Sequence, residues 1–377
     1  MSRPAKRPLG KRTLGQRLAR PLPLGLAGLA ALALAVLAAG WREAAGAYLA
    51  AWLVLLGLAA GALPVAVALE RFGLSAHDRG EGEIALSLRR LLGLMPAAAI
   101  LGLPLLAAAP LLYPWADAPP DTPLGRLWFT LPGFCLRVVA YLGLWVWLAA
   151  RFRDAPLGPR DGRTAAGVGL HAVVGTLAVT DLVGSLDPRL GSSLEGLLVL
   201  TAWSGLAFAA AILRAPEEPA PVGRGRAAAG RDRLVPLAVL LALWAYLHFV
   251  QFLIVWSANL PDEVRWYFAR GGWAGRGLAL MAGAAVLAAA LATLRPGRPT
   301  TRVLAGLVVV LHAVEMFWLV TPALRDRFTL TAGDLLAALG ILCLATALRP
   351  LARMPHPRGP KSTRETGTSE AGRRVPA

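Results

Sequence analysis

Residues 46–69 read GAYLAAWLVLLGLAAGALPVAVAL and contain no charged side chain. A helix rises about 1.5 Å per residue, so a stretch of this length spans the hydrocarbon core of a bilayer, which is about 30 Å thick. Nine further apolar stretches share its richness in Gly, Ala and Leu and lack the alternation of barrel strands. The sequence therefore predicts an all-α polytopic membrane protein with ten transmembrane helices. The predicted helices cover residues 22–40, 46–69, 91–113, 128–150, 164–185, 191–213, 234–256, 273–294, 303–322 and 328–348.

The distribution of basic residues predicts how these helices are oriented. The formal net charge is +17, and 30 of the 39 lysines and arginines fall in the two tails and the even-numbered loops. Cytoplasmic segments of membrane proteins carry such an excess of Lys and Arg. We therefore expect both termini in the cytoplasm, which requires an even number of helices, and a multi-pass protein of the bacterial inner (cytoplasmic) membrane. Because topology explains the charge, no nucleic-acid partner is expected.

The predicted domain organisation is one membrane domain between two basic tails. The membrane domain covers residues 22–348, and the cytoplasmic tails cover residues 1–21 and 349–377. The C-terminal tail has no apolar period and is expected to be disordered. Residues 214–233 combine proline, glycine and charge, which predicts a flexible cytoplasmic linker. Membrane lipids are the first partners that such a chain implies.

Motifs of soluble enzymes are missing from the sequence. There is no Walker loop, GxSxG, HExxH or Rossmann fingerprint, and the two cysteines, Cys135 and Cys343, lie alone in separate predicted helices. No catalytic residue, metal site or covalently bound cofactor is predicted. A haem b site would need two facing histidines, and only His248 and His312 lie at matching predicted depths.

Ionisable side chains inside the predicted helices are the first candidates for function, because inserting each costs about 2.5–3.5 kcal/mol. Carboxylates and imidazoles at graded depths could relay protons or hydrogen-bond the oxygens of a quinone. An acidic cluster is expected near the outer face if the fifth, sixth and tenth helices meet. We expect Arg137 to neutralise one acid as a structural ion pair, and Asp334 to reach the outer interface. The candidates for a proton path or quinone contact are Asp181, Asp187, Glu195, His248 and Glu315.

Four short motifs, in order along the chain, resemble those of a known family of membrane subunits. They are LYPWAD at 112–117, SLDP at 185–188, FVQFLIVWSANLPDEVRWY at 249–267 and MFWLVTP at 316–322. They are similar to quinone-binding subunit 2 of quinol:cytochrome c oxidoreductase, the alternative complex III, a relative of polysulfide-reductase membrane subunits. The motif residues are Gln251, Trp256, Asn259, Pro261, Glu263 and Trp318.

This resemblance implies two four-helix bundles plus two peripheral helices, in a complex whose other subunits carry haem c and iron-sulfur clusters. It implies a subunit of an oxidoreductase that supports electron transfer from quinol to cytochrome c, and proton conduction, without a redox centre of its own. Quinone or quinol is the one small-molecule ligand that the resemblance implies. The family has His and Trp on either side of the Asp181 position, where this chain has Thr180 and Leu182. A non-catalytic membrane scaffold or assembly subunit and a secondary transporter are the alternatives.

Overall fold

The computed structural model describes residues 21–71, 82–153, 162–215, 226–294 and 297–349. Within these ranges all regular secondary structure is helical, which confirms the predicted all-α class. Both predicted tails lie outside the described residues except at positions 21 and 349. Residues 216–225 of the predicted linker also lie outside them, and a helix begins at Arg226, within the remainder of that linker.

Fifteen α-helices are described in these ranges. They are α1 (Pro21–Ala60), α2 (Ala62–Arg71), α3 (Glu83–Leu92), α4 (Met95–Gly102), α5 (Pro104–Leu112), α6 (Pro123–Trp128), α7 (Leu131–Arg153), α8 (Gly162–Leu182), α9 (Glu195–Arg214), α10 (Arg226–Ala258), α11 (Pro261–Ala269), α12 (Gly272–Leu294), α13 (Arg298–Val320), α14 (Pro322–Arg325) and α15 (Ala332–Leu348).

The first helix is interrupted at Gly40, whose backbone angles of φ 78° and ψ 169° are not helical. Glycine adopts this positive φ because it has no Cβ. At 1.5 Å per residue, the 40 residues of α1 would extend about 60 Å as a straight helix, twice the thickness of the hydrocarbon core. The break therefore separates two halves of α1, each of them long enough to be a helix in its own right.

The two halves of α1 pack against different helices. In the first half, a Cβ on Gly28 would lie 3.0 Å from the carbonyl oxygen of Gly340 in α15, so the two backbones touch. In the second half, a Cβ on Gly57 or Gly61 would overlap Trp203 of α9. This GxxxG pair thus lets α1 and α9 approach closely, as small residues do between membrane helices.

Eight helical segments of the described chain are long and apolar enough to cross a membrane. They are Pro21–Arg71, Glu83–Gly102, Leu131–Arg153, Gly162–Leu186, Glu195–Arg214, Arg233–Ala258, Gly272–Leu294 and Pro299–Arg325. This count differs from the predicted ten for two reasons. Pro21–Arg71 includes two predicted helices, and α15 has only 17 residues, because Thr331 and Asp334 cap it late.

The predicted helix at 91–113 is divided among α3, α4 and α5. Pro96 and Pro104 stand in the first turns of α4 and α5, where a missing backbone N–H is tolerated. Side chains of α1 bind carbonyl oxygens of the broken segment. Tyr48 donates to Leu101 O at 2.7 Å, and Trp52 donates to Ala98 O at 2.7 Å. The hydrogen bonds hold α4 against α1.

Helix α9 lies at the centre of the fold. In its most apolar stretch 83% of the residues are buried, and the helix contacts α1, α2, α3, α8, α10 and α13. By contrast, only 17% of the residues in the apolar stretch of α12 are buried, so most of its surface is available to lipid or a partner. The helices α7, α8, α9, α10 and α13, together with the loops at one end of them, position the buried polar residues.

Candidate functional site

The first buried polar group surrounds Asp181 of α8. Arg137 of α7 forms two bonds to its carboxylate, from Nε at 2.8 Å and from Nη2 at 3.0 Å. Tyr141, one turn further along α7, donates to Oδ2 at 2.9 Å, and Trp128 donates to Oδ1 at 2.8 Å. Asp181 is fully buried and each oxygen accepts two hydrogen bonds, so its acceptor sites are filled. The arrangement pairs Arg137 with a carboxylate, as the sequence suggests.

The second group is centred on Asp187, in the turn that follows α8. Arg189 binds its two oxygens from Nε at 2.7 Å and from Nη2 at 2.8 Å. Arg270, which ends α11, binds Oδ2 from Nη1 at 3.1 Å. Burial alone would raise the pKa of the Asp187 carboxyl, but the two guanidinium groups outweigh it and hold that pKa below its ordinary value. Asp187 is therefore an ionised anchor between two loops.

Arg270 is almost completely buried, and both of its Nη atoms are hydrogen-bonded while its Nε has no hydrogen-bond partner within the described ranges. Its guanidinium carbon lies 3.6 Å from the ring centre of Trp266, and Nη2 donates to Leu319 O at 2.8 Å. Burial lowers the pKa of Arg270 to about 10, so it keeps its charge at neutral pH. From the sequence this arginine was counted only as a loop cation. Its spacing of four residues from Trp266 on one helical face is the signal that could have indicated stacking.

Glu195, the first residue of α9, lies beside this second group. It is 8% exposed, and one carboxylate oxygen rests against Gly184, where an added Cβ would be 2.6 Å away. It is within electrostatic reach of Arg270 and Asp187. Among the described residues, none donates a side-chain hydrogen bond to it. Glu195 is thus a buried carboxyl without a direct partner, unlike Asp181 and Asp187, and such a group is able to gain or lose a proton.

The third group surrounds Glu315 of α13. His312, one turn earlier, contacts Oε2 through Nδ1 at 2.8 Å, and His248 of α10 contacts Oε1 through Nε2 at 2.9 Å. Trp244, one turn before His248, donates to Oε1 at 2.8 Å. Glu315 is 1% exposed. Each imidazole can donate or accept a hydrogen bond according to its tautomer, so this group is a candidate for proton transfer between side chains.

Trp318 joins the second and third groups. Its ring centre lies 5.9 Å from that of His248 and 5.3 Å from that of Trp266, and its indole N–H donates to Arg270 O at 3.0 Å. A continuous set of contacts therefore runs from Glu315 through His248, Trp318 and Arg270 to Asp187. Asp181 is not part of it, because its carboxylate is directed at α7.

The expected single acidic cluster at the outer end is divided in the structure. Asp334 is 1% exposed and binds Arg325 at 2.8 Å and 3.0 Å, and Glu43 binds the same arginine at 2.8 Å. The expectation that Asp334 reaches the interface was therefore wrong. Its carboxylate also completes the capping box of α15 with Thr331, which places it inside the fold.

The remaining motif residues are distributed over the α10–α11 turn. Gln251 is buried and accepts a hydrogen bond from Ser192 at 2.9 Å. Asn259 makes the turn with φ 49°, Pro261 begins α11, and Glu263 lies in its first turn. Trp256 is 68% exposed, which places the indole at a surface rather than within the polar groups.

His171 also has a structural partner, whereas Ser87 Oγ and Trp203 Nε1 are buried within helices without a hydrogen-bond partner among the residues that the structure describes. Trp145 donates to His171 Nδ1 at 3.2 Å across α7 and α8. No group of three or more His, Cys, Asp or Glu side chains suited to a metal ion occurs in the described part of the chain.

In the described residues the chain is all-helical, and its eight long apolar segments, with buried polar groups between the helices, indicate a multi-pass membrane protein. No protein-family model matches the chain, and no curated protein matches it.

Proposed function

We propose that this chain is an integral membrane subunit of a quinol-oxidising respiratory complex, similar to quinone-binding subunit 2 of quinol:cytochrome c oxidoreductase. In this role it supports electron transfer from quinol to cytochrome c and conducts protons, while other subunits hold haem c and iron-sulfur clusters. The observation that supports the proposal best is the contact of the His248–His312–Glu315 group with Arg270 and Asp187 through Trp318. Asp187 and Trp318 belong to the motifs that resemble the family, and His248 and Glu315 each directly precede one of those motifs.

The proposed topology has ten crossings with both termini in the cytoplasm. Dividing Pro21–Arg71 at Gly40 adds one crossing to the eight, and accepting α15 adds another. The tight backbone contact between Gly28 and Gly340 supports this, because it pairs the first half of α1 with α15 over their lengths. An even count agrees with the basic tails, and the bacterial inner membrane is the proposed location. Asp187, Glu195 and Arg270 then lie at the outer end.

Oxidation of a quinol to a quinone releases two electrons and two protons. The electrons pass to the redox centres of the partner subunits, and the protons need acceptors on the way to the outer surface. Glu315 with its two histidines is the proposed inner acceptor, and Glu195 the proposed outer one, with Asp187 fixing Arg270 beside it. Asp181 has all its acceptor sites filled by four hydrogen bonds, so we assign it to holding α7 and α8 together.

Gentle solubilisation of the tagged full chain tests this proposal. We expect haem c and iron-sulfur subunits to co-purify and the preparation to reduce cytochrome c with quinol. A chain that purifies without them, from a host that expresses its natural partners, would contradict the proposal. A quinol-reducible absorption spectrum of c-type haem provides a second readout that does not depend on turnover.

A membrane scaffold is the second candidate, and exposed aromatic side chains near α11 favour it. Trp256 is 68% exposed, Phe268 78% and Trp273 87%. Such a surface fits a partner subunit as well as a lipid interface. If scaffolding is the whole function, replacing Phe268 and Trp273 by serine should release the partners, whereas Glu315→Gln should leave turnover of the assembled complex unchanged.

A further inference from the structure

An apolar groove lies where α1 is interrupted, between its two halves and α5. Its volume is about 320 Å³, near the lower end of the roughly 300–1,000 Å³ typical of small-molecule sites. The lining residues are Leu32, Ala35, Val36, Trp41, Ala44, Ala45, Tyr48, Pro104, Leu105, Ala107, Ala108 and Leu111. None of the lining residues belongs to the groups around Asp181, Asp187 and Glu315, so the proposed function does not account for the groove.

The chemistry of the lining selects a hydrocarbon occupant. Tyr48 supplies the only side-chain hydroxyl, and that hydroxyl already donates to Leu101 O at 2.7 Å. Besides Tyr48, the indole N–H of Trp41 is the one side-chain donor in the lining, and it lies at the exposed end of the groove. A quinone ring placed deeper, among the alkyl side chains, would find no donor for its carbonyl oxygens, and a buried polar group without a partner is costly. A saturated chain loses nothing in the same place and gains the contact with the alkyl walls.

The length of the groove matches one leaflet. In the first half of α1 the lining runs from Leu32 to Trp41, which corresponds to about 11–14 Å because Gly40 interrupts the helix. This is about half of the 30 Å hydrocarbon core. Trp41 is 74% exposed at the end of the groove, in the manner of an interfacial indole. The groove therefore runs from the interface to the middle of the bilayer.

The side chain of Arg42 lies at the Trp41 end of the groove. Arg42 follows Trp41 and is exposed, and among the described residues it forms no ion pair. The neighbouring Glu43 does not compete for it, because its carboxylate binds Arg325 at 2.8 Å. An exposed guanidinium at the interface attracts a phosphate group, which it can bind with two parallel hydrogen bonds.

We propose that this groove is a binding site for one anionic phospholipid, with an acyl chain along α5 and the phosphate at Arg42. The lipid fills the space between the halves of α1 and α5 that the break at Gly40 leaves open. The inference rests on the membrane-spanning fold and not on the quinol proposal.

Native mass spectrometry of the full chain, solubilised gently from phosphatidylglycerol-containing membranes, tests the site. The wild type should retain one phosphatidylglycerol, and Ala108→Phe, which fills the groove, should lose it. Ala284→Phe is the matched control, because Ala284 is exposed on α12 and lines no part of the groove. Arg42→Gln should lower the preference for phosphatidylglycerol over phosphatidylethanolamine about fivefold.

A second measurement keeps the test decisive if Ala108→Phe fails to fold. Phosphatidylglycerol with a photoreactive group in its acyl chain should label peptides of α1 and α5 in the wild type, in preference to α12. Each of four results would overturn the proposal. The first two are equal labelling of α12 and equal lipid retention by Ala108→Phe and the wild type. The others are a wild type that retains no lipid and a wild type that retains a quinone in the lipid's place.

Discussion

Replacing Asp181 by asparagine should destabilise the protein by about 3–5 kcal/mol, because it leaves a largely buried guanidinium without its counter-charge. The side chain of Asp181 is 0% exposed and that of Arg137 is 18% exposed, so little solvent screening reduces this figure. The variant loses a bidentate ion pair at 2.8 Å and 3.0 Å, and an asparagine amide would direct N–H groups at Arg137 or at other donors.

The double variant Arg137→Met/Asp181→Leu distinguishes the cost of an unpaired buried charge from the cost of losing the contacts of Asp181. Both charges are then gone, but Tyr141 and Trp128 lose their acceptor, so we expect a stability about 1–3 kcal/mol below that of the wild type and above that of Asp181→Asn. Reversible unfolding in mixed detergent and SDS micelles measures the free energy of unfolding for all three proteins. If Asp181 supports the fold and not the chemistry, the double variant should also keep quinol turnover.

Two results would refute this reasoning about Asp181. One is a loss of less than about 1 kcal/mol in Asp181→Asn, which would mean that Arg137 finds another partner. The other is a double variant as unstable as the single one. A stable double variant without turnover would instead return Asp181 to the proton path.

Two further predictions concern packing and pH. Gly61→Ala should destabilise the protein by roughly 1–3 kcal/mol in the same unfolding assay, because the new methyl group overlaps the backbone of Trp203. Gly143→Ala is the control and should be neutral or slightly stabilising, because no atom lies within 4 Å of the added Cβ. The folded-state pKa of Asp187 lies below its unfolded value, so its contribution to stability is complete above about pH 4 and is lost as the pH falls from there through the folded pKa. Asp187→Asn should therefore flatten the acid side of the stability curve measured from pH 6 to pH 3, and an unchanged acid side would contradict the pairing.

The sequence was sufficient for the class of fold because hydropathy and helix length are local properties. Residues 46–69 must be buried in protein or lipid whatever surrounds them. The boundaries were less accurate where tertiary contacts decide them. Pro96 and Pro104 divide one predicted helix into pieces that remain in place because α1 supplies hydrogen bonds from Tyr48 and Trp52.

The candidate site was predictable by residue type but not by partnership. Depth along a helix can be read from the sequence, whereas the rotation of one helix against another cannot. Glu315 and His248 therefore appeared as separate candidates, and only the packing of α10 on α13 shows that they share a hydrogen bond. Arg270 was missed because a basic residue in a loop normally reports topology alone. Asp334 was misplaced because the packing of α15 against α1 was not foreseeable.

Proton release during quinol oxidation in the reconstituted complex tests the central proposal most directly, with Glu315→Gln compared against Asp334→Asn. Asp334 is another buried acid, and its partner Arg325 keeps the ion pair with Glu43 when Asp334 is replaced. This control therefore measures the general effect of removing a buried charge. We predict that Glu315→Gln assembles normally but lowers turnover and proton release about a hundredfold, within the range for a lost general acid or base. Wild-type turnover and proton release in assembled Glu315→Gln would contradict the account.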